Sequence, residues 1–171
     1  MSDPQRSPSE NDQPFVPDGP PLALPAGVAA EIDLDTWYYL RATYRSESGK
    51  DVTGYLSPLG PNATQSFWDY IVMREDVAAA CQFQLQDVDG GWAKWLIKDD
   101  GNHLSLKATG WYYRASAYAT RFAVVNGLLY NDYWQGPAGA VYRSLLVSSG
   151  YYVGQDLGDE ATLRNCELVP V

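Results

Sequence analysis

The stretch GWAKWLIKDDGNHLSLKATGWYYRASAYATRFAVVNG, residues 91–127, decides how the chain reads. It holds four short apolar runs in succession, at 92–97, 103–108, 111–116 and 121–125. Asp99-Asp100-Gly101-Asn102, Thr109-Gly110 and a small-residue link at 117–120 separate them. Apolar runs of about four to eight residues, broken by Gly, Asn and Asp, mark β-strands rather than helices. The Asp-Asp-Gly-Asn segment has the composition of a hairpin turn. Four strands thus form one unit.

The flanks repeat it imperfectly. Before it, runs at 37–44, 54–59, 67–73 and 81–88 make a first unit spanning about 37–89, with a polar loop at 46–53 and a stop at Gly60-Pro61-Asn62. After it, an aromatic connection, LLYNDYWQGPAG (128–139), leads to runs at 140–147, 151–155, 161–164 and 167–171, the third unit. A helix over 74–80 would have at most about two turns, marginal in isolation. Two registers recur. Leu56, Leu104 and Tyr152 stand 48 and 48 residues apart in the second strands; Phe83, Phe122 and Leu168 stand 39 and 46 apart in the fourth. Recurrence at such a period marks a repeated architecture. Twelve strands in three units predict a β-trefoil, a six-stranded barrel closed by three hairpins, which also removes exposed strand edges. An up-and-down barrel or a two-sheet sandwich would not call for a threefold recurrence.

Composition agrees with an all-β chain, since 13 Tyr and 6 Trp suit pleated, half-buried surfaces. Residues 1–30, rich in Pro, Ser, Asp and Gln, are expected to be a disordered tail, leaving 31–171 as the folded domain. Residues 20–28 could instead lie on that domain as an extended strap. Of the net charge of −9, residues 1–35 carry −6 (seven acids against Arg6), leaving −3 for the rest. No basic stripe exists, so nucleic acid is not an expected partner. No apolar run approaches the ~20 residues of a membrane span. The N-terminus lacks the pattern of a secretory leader, which predicts a cytoplasmic protein or one exported by another route.

Alternation gives the expected core: Leu56, Phe83, Leu85, Trp95, Ile97, Leu104, Leu106, Phe122, Val124, Tyr152 and Leu168 point inward. Cys81, Thr120 and Cys166 share that face, two residues before Phe83, Phe122 and Leu168. The cysteines read first as small core residues, and otherwise as a disulfide or a reactive thiol.

Little in the chain specifies a reaction. His103, the single histidine, lies mid-strand where the other units carry Tyr55 and Tyr151, which favours packing over general-base chemistry. Asp87-x-Asp89-Gly90 lacks the distal Glu of a calcium loop. Asp132 and Glu160 form a carboxylate pair such as any acidic protein offers. Asn62-Ala63-Thr64 is a formal glycosylation sequon. No catalytic residue, metal or cofactor is expected. The richest stretch is Tyr130-Asn131-Asp132-Tyr133-Trp134-Gln135-Gly136, where rings that can stack on a sugar stand beside groups that can hydrogen-bond its hydroxyls. Asn131, Asp132, Tyr133, Trp134 and Gln135 form the expected carbohydrate site, with Trp111 and Tyr113 as secondary candidates. Phe67-Trp68-Asp69-Tyr70 is a weaker one, and Tyr133 and Trp134 could instead plug one end of the barrel.

The middle unit resembles those of fascin-like and amaranthin-type agglutinin β-trefoils. The resemblance rests on 95–97, Asn102-His103-Leu104-Ser105, 111–116 and Phe122-Ala123-Val124, with Gly54-Tyr55-Leu56-Ser57 and Gly150-Tyr151-Tyr152 as counterparts in the outer units. It implies a trefoil fold and a lectin-like, non-enzymatic protein whose partner is a glycan or glycoprotein. The Gln-x-Trp of ricin-type lectins is absent, so their galactose pockets do not carry over. The competing expectations are a trefoil protease inhibitor presenting 46–53 or 60–66, and a structural or partner-binding module that uses the acidic tail as adaptor.

Overall fold

Strict alternation builds the first strand. In β1 (Trp37–Arg45, WYYLRATYR), Tyr38, Leu40, Ala42 and Tyr44 are buried while their neighbours are more exposed, because successive side chains of a strand face opposite ways. The chain then forms β2 (Asp51–Pro58), β3 (Ile71–Arg74), β4 (Phe83–Asp89), β5 (Trp92–Ile97) and β6 (His103–Leu106). It continues through β7 (Tyr112–Ala115), β8 (Arg121–Val125), β9 (Leu128–Asn131), β10 (Gly139–Ser144), β11 (Ser149–Gly154) and β12 (Arg164–Pro170). The computed structural model describes residues 6–60, 67–116, 120–146 and 148–171. The turn at Pro61-Asn62, the sequon, residues 61–66 of the second inhibitor loop, the link at 117–119, Val147 and residues 1–5 of the tail lie outside the described residues.

The protein is all-β, a curled antiparallel sheet. One set of pairings runs β12–β1–β4–β5–β8–β9. A hydrogen bond from the Cys166 N–H to the Gly127 carbonyl (2.8 Å) ties the two ends of that series together. The other six strands form three hairpins, β2–β3, β6–β7 and β10–β11. These touch one another: β3 pairs with β11, Tyr70 bridges to Tyr113, and Trp111 bridges to Gly154.

Two buried cations hold the hairpin ends. Lys107 Nζ lies 3.1 Å from Asp69 and over the rings of Tyr70 and Tyr113. Arg114 pairs with Asp100 at 2.9 Å, donates to the carbonyls of Gly60 and Trp68, and sits over the Trp68 ring. The expected core residues are buried, Leu168 only partly. Phe83, Trp95, Phe122 and Tyr112 make a chain of tilted ring contacts, 5.2 to 5.9 Å between centroids. Cys81 and Cys166 are free thiols in this core. Burial pushes both up to about 12, so neither has the ready thiolate that reactivity requires.

Three local expectations change. Residues 128–131, expected within a connection, form β9, and Tyr152 lies in β11. There it pairs with Val141 and Val72 and belongs to a separate cluster with Tyr70 and Trp111, away from Leu56 and Leu104. The 161–164 run is instead a 3₁₀ turn (Asp159–Ala161) leading into β12. Residues 74–80 hold a single 3₁₀ turn, Val77–Ala79, capped by Asp76, whose carboxylate accepts the Ala78 N–H. No helix among the described residues is long and apolar enough to cross a membrane.

From Arg6 the proline-rich segment, expected to be disordered, runs as an extended strap across the sheet. Its backbone pairs at Pro14 with Lys107 and at Ala29 with Val125, and its Phe15 and Ala30 N–H groups donate to Leu106 and Val124. Phe15 and Leu24 pack on buried clusters. Prolines keep the strap extended and irregular, and the sheet and its loops supply partners to several of its N–H groups, among them those of Phe15, Leu22 and Ala30. Composition sees the first property and not the second.

Candidate functional site

The site is built outward from a tight turn. Asn126 and Gly127 join β8 to β9 with φ of 53° and 73°, the left-handed pair a two-residue hairpin requires. This short link delivers β9, in which Leu129 and Asn131 face inward and Tyr130 is half-buried. The chain then has to leave the sheet, and Asn131 directs it. Its Oδ1 accepts the N–H groups of Tyr133 (3.0 Å) and Trp134 (2.7 Å), an Asx-type turn. Its amide donates to Gln155 Oε1 at 3.1 Å, which also accepts the Tyr112 hydroxyl at 2.7 Å. Gln155 Nε2 in turn donates to the Gly136 carbonyl. A fully buried polar network of this kind fixes one loop conformation.

Asp132 is buried too. Its carbonyl accepts the strap's Leu22 N–H and its carboxylate the Arg121 N–H. Burial pushes this carboxyl above the usual range, opposed by hydrogen bonds and the Arg121 charge. Tyr133 donates its hydroxyl to the Gly19 carbonyl, and Phe15 packs 5.9 Å from its ring. Trp134 is half-buried; its indole N–H donates to Asp156 at 2.9 Å, and Phe15 lies 5.6 Å away. Gly110 holds φ at 97°, and a Cβ there would stand 3.3 Å from the Trp134 ring. Gln135 alone of the five is exposed.

A cleft of about 320 Å³ opens beside this loop. Trp92, Tyr130 and Trp134 line it, Leu22 and Pro25 of the strap face them, and Gln135 and Gly136 complete it. The Trp92 indole N–H donates to the Leu22 carbonyl at 3.0 Å, tying strap to strand. The structure thus brings Asn131, Trp134 and Gln135 of the expected set to one cleft. Asp132 and Tyr133 do not line it.

The secondary candidates lie in packed interiors. Trp111 is fully buried beneath the Arg6 guanidinium at 4.6 Å and meets Tyr152 edge-on. Tyr113 is buried under Lys107, and Trp68 and Tyr70 are taken up by Arg114 and by the strap's Ser9. Trp92, Leu22 and Pro25 were missed as site residues. Their only signal was the possible strap at 20–28, since a pairing across about seventy residues leaves no local pattern. His103 is half-buried, opposite Leu96 and Ala115, and burial, helped by the Lys94 charge, lowers its pKa. Among the described residues, no three His, Cys, Asp or Glu gather where they could hold a metal ion. None of the protein families, curated proteins or solved structures compared with the chain matches it.

Proposed function

We propose that the protein is a non-enzymatic, lectin-like carbohydrate-binding β-trefoil whose site is the cleft beside Trp134. The trefoil reading is supported by the pairing series β12–β1–β4–β5–β8–β9, tied end to end, with three hairpins meeting one another on it. Each unit then contributes two strands to the ring and one hairpin, although the third unit counts its strands from Leu128.

The observation that carries the sugar reading is the composition and setting of one cleft. Two half-buried rings, Tyr130 and Trp134, line it with an exposed Gln135. Sugar C–H faces are apolar and stack on such rings, and the ring hydroxyls need amide partners to replace water. Ligand sites combine apolar walls with a few fixed polar groups in this way. Asn131 and Gln155 hold the loop in place before any ligand arrives, which reduces the ordering cost of binding. A glycan array on the full chain, followed by titration of the best glycan, tests the reading. Trp134→Ala should lower affinity about tenfold or more, as loss of a stacked ring does at hot spots. An array with no hit, or a Trp134→Ala variant that binds unchanged, removes it.

A further inference from the structure

A second cleft, of about 460 Å³, lies between the β1–β2 turn and β10–β11, with the 3₁₀ turn Asp159–Ala161 along one wall. None of its lining residues belongs to the first cleft. Tyr142 and Tyr151 stand opposite each other in the β10–β11 register, with ring centroids 5.3 Å apart. The Tyr151 hydroxyl accepts the Glu47 N–H at 3.0 Å, which fixes the turn carrying Glu47 to the ring pair. Glu47 and Glu160 line the cleft together with Arg45.

Among the described residues, no cation comes within ion-pair distance of Glu47 or Glu160, and none lies over Tyr142 or Tyr151. Arg45 points its charge elsewhere, 4.0 Å from Asp51, although Arg164 holds that carboxylate closer, at 2.7 Å. Elsewhere the chain holds two buried cations of its own with an aromatic face plus a carboxylate. Lys107 lies 4.4 Å over Tyr113 beside Asp69, and Arg114 lies 4.7 Å over Trp68 beside Asp100. The second cleft contains both ingredients, and its one lining cation, Arg45, is turned to Asp51.

We infer that this cleft binds the guanidinium of an arginine side chain on a basic peptide, between the Tyr142–Tyr151 pair and the carboxylates of Glu47 and Glu160. A guanidinium is flat, stacks on rings and donates in a fork that fits carboxylates. The net charge of −9 favours the approach of such a partner. The site is independent of the proposed sugar cleft.

The test is calorimetric titration of the full chain with Nα-acetyl-arginine amide, and with its neutral citrulline analogue. Saturable binding of the arginine compound alone is expected, weakening as salt is raised. Glu47→Gln and Glu160→Gln, both at the surface and checked for fold by circular dichroism, should each weaken it about fivefold through the lost charge contact. Arg45→Gln should strengthen it by removing a like charge. Absence of saturable binding, equal binding of the citrulline analogue, or Glu→Gln variants without effect would overturn the assignment. So would loss of binding in Arg45→Gln, because removing a like charge cannot weaken the hold on a cation.

Discussion

Asn131 illustrates how much one side chain decides. Its Oδ1 satisfies two N–H groups of the loop, and its amide joins Gln155 in a buried network. Asn131→Ala strands those groups, and the variant should lose about 2 kcal/mol of stability, the usual cost of unsatisfied buried donors. Urea unfolding of the full chain measures this, and an unchanged midpoint would refute it. The cysteines act through pH instead. Burial raises Cys81 and Cys166 from 9.0 to about 12, so the folded chain keeps protons that the unfolded chain releases above about pH 9. The stability they contribute is full below the unfolded value and lost as pH rises towards about 12. Each thiol should steepen that alkaline decline by up to about 1.4 kcal/mol per pH unit. A Cys81→Ala/Cys166→Ala variant should show a flatter decline in urea midpoint between about pH 9 and 11. An equally steep decline would place its cause elsewhere.

At the scale of elements, the strands set off by turn residues were legible and β9 was not. β1 announces itself, because four inward residues alternate with outward ones over its length. β9 has only Leu128 to Asn131, and nothing in LLYN separates a four-residue strand from the loop that follows. Spacing alone likewise grouped Tyr152 with Leu56 and Leu104, whose cluster it does not join. Close approach of elements was equally hidden. Gly139 opens β10 against the 3₁₀ turn, and a Cβ there would come 2.8 Å from the Ala161 carbonyl. That carbonyl is backbone and cannot swing aside. Gly139→Ala should therefore cost about 1–3 kcal/mol by overpacking, read as a lowered thermal midpoint. A neutral substitution would mean that the turn yields freely.

For the whole molecule, the strap is the feature on which composition says least. Proline content and charge describe a segment that cannot fold alone, which is a different property from having no place on a folded surface. Phe15 and Leu24 pack on two different clusters, and the strap's backbone bonds reach β6, β8 and the loop of Asp132. A chain beginning at Glu31 should keep its strand signal in circular dichroism but lose about 3 kcal/mol, taking roughly the burial of those two side chains. Its tryptophan emission should shift to the red as Trp92 and Trp134 lose their cover. A truncated chain with unchanged stability and emission would show that the strap contributes nothing.

By itself the sequence determined the all-β class, most strand positions and the buried faces, because period-two patterning and turn residues are local properties. It also drew attention to 130–136 as a place where rings and amides gather. Tertiary structure alone decided which of those rings reach a cleft, that Trp111 and Tyr113 are consumed by Arg6 and Lys107, and that a proline-rich strap forms a wall of the site. These outcomes depend on contacts between residues far apart in the chain, and such contacts arise only once the sheet has curled and brought its hairpins together.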